Sequence, residues 1–143
     1  MNEIRGPRAW LRSAAALLAG FIVVVVLSIG TDAMLRAAGI FSSTGQPMSG
    51  GLFLLATVYR SFYGVVGSYI TARLAPNRPM QHALTGGAIG LVLSIAGAVA
   101  SWNREAAFGP HWYPLALIAT AIPCAWLGGR LRVTQLDNRR KTR

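Results

Sequence analysis

Acidic residues are scarce in this chain. Only 4 Asp and Glu stand against 14 Lys and Arg in 143 residues, and no carboxylate falls in the middle of a long apolar stretch. A deep proton-relay carboxylate, or a buried acid pair for general acid–base work, therefore has no residues to form it. Cysteine occurs once, as Cys124, which excludes an internal disulfide framework and a cysteine-based zinc site. A lone thiol in an apolar segment reads as a small, inert, buried residue. Period-2 alternation is missing from the apolar stretches, which argues against a membrane β-barrel. No Ser/His/Asp grouping and no phosphate-cradling glycine loop can be assembled. The sequence thus reads as non-enzymatic, with no catalytic residue, metal or cofactor.

Hydrophobic residues are plentiful, at 53%, while charged residues make up only 13%, about half the usual share in soluble domains. The apolar residues cluster into four stretches, at about residues 13–32, 51–72, 81–101 and 113–129. Each is long enough to cross roughly 30 Å of hydrocarbon as a helix. The expected fold is all-α: a single domain over residues 1–143, forming an integral membrane four-helix transmembrane bundle. The first stretch follows Arg5, Arg8 and Arg12, as a signal peptide would. Its apolar run is longer than a typical signal core and three more spans follow, so it reads as an uncleaved helix.

The net charge of +10 would point to nucleic acid if it formed one patch. Instead the charge lies between the spans and at the ends. Arg5, Arg8, Arg12, Arg73, Arg78, Arg130, Arg132, Arg139, Arg140, Lys141 and Arg143 fall on one side of the expected membrane. Only Arg36 and Arg104 fall on the other. By the positive-inside rule both termini are cytoplasmic, and no nucleic-acid partner is expected. Trp10 and Trp126 mark the inner boundary; Trp102, Trp112 and Tyr113 mark the outer one. The basic tails suit anionic lipid heads. His82 and His111 fall on opposite sides, so they cannot share a haem or metal, and Glu105 reads as a solvated loop acid beside Arg104.

Lipid gives helices no hydrophobic reason to associate, so small residues mark where backbones meet. Gly64 and Gly67 in the second span, and Gly87, Gly90, Ser94 and Gly97 in the third, are the expected packing positions. Pro123 is expected to kink the fourth span. Arg60 is the one basic residue inside a span. It lies about 20 Å from Arg73 along the helix, where a bare cation costs about 2–3 kcal/mol. Asp32, at the end of the first span, is its expected partner, with Tyr59 and Tyr63 adding polar contacts. Two readings stay open: an ion pair that orients two helices, or the floor of a small outward-facing polar cavity that binds an anion or polar solute.

Thr31-Asp32-Ala33-Met34-Leu35, Thr71-Ala72-Arg73-Leu74-Ala75-Pro76, Pro79-Met80-Gln81-His82-Ala83 and Gly109-Pro110-His111-Trp112-Tyr113-Pro114 resemble stretches of a group of short, uncharacterised four-helix proteins of bacterial membranes. The resemblance spans nearly the whole chain and implies a bacterial inner-membrane location without supplying an activity. Small multidrug transporters share the size, but they rely on a carboxylate in the first helix, and positions 14–30 hold none. The leading expectation is an accessory or scaffold membrane protein, in contact with the bilayer and with copies of itself or other membrane subunits. The alternative is a small permease or solute-binding bundle using Arg60 and Asp32.

Overall fold

A computed structural model describes residues 7–43, 46–104 and 109–142. Arg5, Glu105 and Arg143 lie outside the described residues. Four long helices account for nearly all of the rest: α1 (Pro7–Ala37), α2 (Gly50–Leu74), α3 (Pro79–Ser101) and α4 (Trp112–Lys141).

The helix ends follow local chemistry. α1 stops in a glycine-terminated motif: Ile40 N–H donates back to Leu35 O, Gly39 N–H donates to Arg36 O, and Gly39 takes φ +71°. That left-handed conformation suits glycine because a side chain would be strained there. α3 starts with Pro79 in its first turn, where a missing N–H costs nothing, after Arg78 at φ 44°. Pro123 lies inside α4, and the helix continues through it. α4 also runs well beyond the expected end at about residue 129. The basic tail is helical as far as Lys141, and the Tyr69 hydroxyl donates to Gln135 Oε1 at 2.8 Å.

Large apolar side chains lie mostly outside and small ones inside, the reverse of a soluble protein. Among the described residues the buried apolar ones are Ala16, Phe41, Ala56, Ala72, Ala83, Ala98, Cys124 and Ala125, and no large side chain is fully buried. Leu18, Ile22, Val26, Ile29, Leu54, Val58, Val92 and Val99 are all exposed. Water would make such a surface aggregate, whereas hydrocarbon solvates it. Three of the helices, α1, α3 and α4, are both long and apolar enough to cross a membrane. The chain is a small multi-span membrane protein with an all-α four-helix bundle.

Of the four expected spans, three are helices long and apolar enough to cross a membrane. α2 has the length, 25 residues, but interrupts its apolar pattern with Tyr59, Arg60, Ser61, Tyr63, Ser68 and Tyr69. The reason is its position. Contacts along α2 run antiparallel to α1, with Asp32 at Arg60 and Gly20 at Gly67 and Thr71. They run parallel to α4, with Ser61 at Thr120 and Gly64 at Cys124. α3 packs antiparallel on α4, through Ala83 at Gly129 and Gly87 at Ala125. α2 is thus covered by both α1 and α4, and much of its polar side-chain capacity is met by neighbouring helices rather than lipid.

Candidate functional site

Asp32 sits one turn before the end of α1, and Arg60 and Tyr59 sit opposite it in the first half of α2. Arg60 Nη2 donates to Asp32 Oδ2 at 2.5 Å, and the Tyr59 hydroxyl donates to Asp32 Oδ1. Both carboxylate oxygens are therefore engaged. The side chains are 33% (Arg60) and 15% (Asp32) exposed, so the pair is largely shielded. Removing a charged group from water costs several kcal/mol unless a partner offsets it, which is why the two lie together. Tyr63 forms a second tie between the same helices, its hydroxyl 2.8 Å from Thr31 Oγ1. Its ring also lies against that of Tyr59, centroids 5.7 Å apart. The four residues that the sequence singled out thus stand together at one end of the α1–α2 contact.

Arg60 also borders a cavity of about 570 Å³ lined by all four helices. α1 contributes Leu17, Leu18, Gly20, Phe21, Val24 and Ser28. α2 contributes Ser61, Gly64, Gly67, Ser68 and Thr71, while α3 contributes Gly86, Gly87, Ile89, Gly90, Leu93 and Ser94. α4 closes the wall with Leu117, Thr120, Ala121 and Cys124. Among the described residues the lining is apolar apart from scattered hydroxyls, and Arg60 is its one charged residue. Arg60 Nε is buried without a hydrogen-bond acceptor among the described residues.

The expected packing positions divide into close contacts and open positions, although Gly64, Gly67 and Gly87 also border the cavity. Gly64 faces Cys124, and a Cβ on Gly67 would collide with Val24 and lie 2.7 Å from Gly20 O. A Cβ on Gly87 would collide with Ala125. Gly90 and Gly97, by contrast, have nothing within 4 Å, and Ser94 lines the cavity. Helical geometry accounts for Gly90 and Gly97. At 100° per residue, Gly90 and Gly97 lie about 60° and 80° around the helix from Gly87, whereas Ala98 lies only about 20° away. Ala98 is buried, and small-residue spacing alone did not single it out.

The remaining polar candidates lie apart from the cavity. His82 Nε2 is 2.9 Å from Ser13 Oγ, near the start of α1 and of α3. His111 stacks on Trp102 at the opposite end, with centroids 4.2 Å apart. Among the described residues no group of three His, Cys, Asp or Glu is placed to hold a metal. Sequence reasoning found the polar pair and offered a small polar cavity there, but missed the largely apolar space between the helices, because its walls come from side chains that read only as ordinary membrane-helix residues. The hydroxyls of Ser28, Ser61, Ser94 and Thr120 were the available signal. No family model, curated protein or solved structure matches the chain.

Proposed function

We propose that this protein is a small-molecule-binding bundle of the bacterial inner membrane, with α2 as its fourth span and both termini cytoplasmic. The observation that carries the reading is the cavity of about 570 Å³ bordered by Arg60. Its size falls within the range of ligand pockets, and its composition fits the usual pattern of apolar walls with a few polar groups. Arg60 at its edge gives the space a polar group that can orient a ligand. The orientation rests on the bias of basic residues toward one side, and the bacterial location on the resemblance of four sequence stretches.

Two measurements test this reading. Reporter fusions at both ends are expected to score as cytoplasmic, and an extracytoplasmic C-terminus would overturn the orientation. For binding, the full chain in lipid nanodiscs is titrated with dodecyl-chain probes bearing neutral, anionic or cationic heads. At least one probe is expected to raise the unfolding midpoint in a saturable way, because a ligand that binds only the folded state stabilises it by mass action. If no probe saturates, the binding reading fails and the accessory-subunit reading replaces it.

A further inference from the structure

The character of the occupant follows from how the cavity opens and what borders it, given the binding reading above. Leu18 and Phe21 of α1, and Ile89 and Leu93 of α3, line the cavity yet are 60%, 48%, 46% and 48% exposed, respectively. They form a rim between α1 and α3. The rim is wholly apolar and lies on helices apolar enough to cross a membrane. The mouth therefore faces hydrocarbon, and whatever enters arrives sideways from the bilayer.

Size then narrows the choice. From Leu17 to Ser28 the α1 wall is about 16 Å long. At about 570 Å³ the cavity is the size of a small-molecule site, which one flexible chain laid along α1 can fill.

The polar end narrows it again. The guanidinium of Arg60 offers five N–H donors. Its hydrogen-bond partner among the described residues is Asp32, reached through Nη2, with the Tyr59 hydroxyl alongside. Asp32 already offsets the positive charge, so an anion would lose its hydration and gain little net attraction. Nε is sealed from solvent and so out of a ligand's reach, but the single bond to Asp32 leaves Nη hydrogens that can still donate. A neutral acceptor group matches a site that is charge-balanced and rich in donors.

We propose that the cavity binds an uncharged single-chain amphiphile with a carbonyl head. The chain enters between α1 and α3, and the head accepts a hydrogen bond from Arg60.

The test compares methyl dodecanoate, dodecanoate and dodecane on the full chain in nanodiscs, read as saturable shifts of the unfolding midpoint. Methyl dodecanoate is expected to bind about tenfold tighter than the other two, the effect of one charge-assisted hydrogen bond. Two glycine variants locate the site. Gly90 lines the cavity with open space around it, so Gly90→Leu fills the cavity without a clash and is expected to abolish the shift. Gly97 also has open space but does not line the cavity, so Gly97→Leu should leave the shift intact. Tighter binding of dodecanoate, or equal binding of all three, overturns the carbonyl-head proposal while the binding reading survives. Saturation that Gly90→Leu leaves untouched moves the ligand out of this cavity. The absence of saturation with every probe removes both.

Discussion

Gly128→Leu is expected to cause the largest stability loss of any single change in the bundle, about 3 kcal/mol or more. Gly128 is buried where α4 crosses α2. A Cβ there would lie 2.5 Å from Val65 O, 2.7 Å from Tyr69 N and 2.8 Å from Ser68 Cβ. Two of these obstacles are backbone atoms, which cannot rotate aside as a flexible side chain can. The helices must separate, and the α2–α4 contact that brings Ser61 to Thr120 and Tyr69 to Gln135 goes with them. Reversible unfolding in mixed micelles measures the loss. Gly30→Leu is the control: Gly30 has nothing within 4 Å, so its replacement is expected to change stability by less than about 0.5 kcal/mol. Equal effects at the two sites would show that α2 and α4 do not approach as described.

The second large effect concerns the ion pair. Arg60→Ala strands a shielded carboxylate and Asp32→Ala strands a guanidinium, so each is expected to cost about 2–3 kcal/mol. That lies at or below the 3–5 kcal/mol range for fully buried pairs, because Arg60 is partly exposed. The double variant Arg60→Ala with Asp32→Ala leaves no charge stranded and should cost less than either single change. A double-mutant cycle therefore gives a coupling energy of about 2 kcal/mol or more. The same double variant loses the donor at the cavity's polar end and is expected to lose its preference for methyl dodecanoate over dodecane. The two roles separate cleanly: stability reports the pair, and head-group preference reports the site. Additive single effects would mean that the two residues do not meet.

Much of the fold is legible in the sequence, for reasons that also explain where legibility ends. Hydropathy marks the four helices because apolar length is a local property, summed over neighbouring residues. The Arg60–Asp32 contact is legible because a shielded cation has few ways to be tolerated, and Asp32 is the one acid close to a span end. Gly67 and Gly87 are legible as contacts because bringing two backbones together demands small residues on the facing side. Gly90 carries the same residue type at nearly the same spacing, yet it faces open space. A glycine at a contact and a glycine lining a hollow differ only in what the neighbouring helix does. The cavity is lined by residues from all four helices, and no single stretch of sequence records it. The helical tail beyond residue 129 escaped for a related reason. Its charges mark where the hydrocarbon ends but do not interrupt the helix, and Tyr69 of α2 supports it from across the interface.

The central claim is that this bundle keeps a ligand space between α1 and α3. The most direct test is the unfolding midpoint of the full chain in nanodiscs, followed through a methyl dodecanoate titration for wild type and Gly90→Leu side by side. The expected result is a saturating rise for wild type and a flat response for Gly90→Leu at comparable starting stability. A flat wild-type response, or the same rise in both proteins, would contradict it.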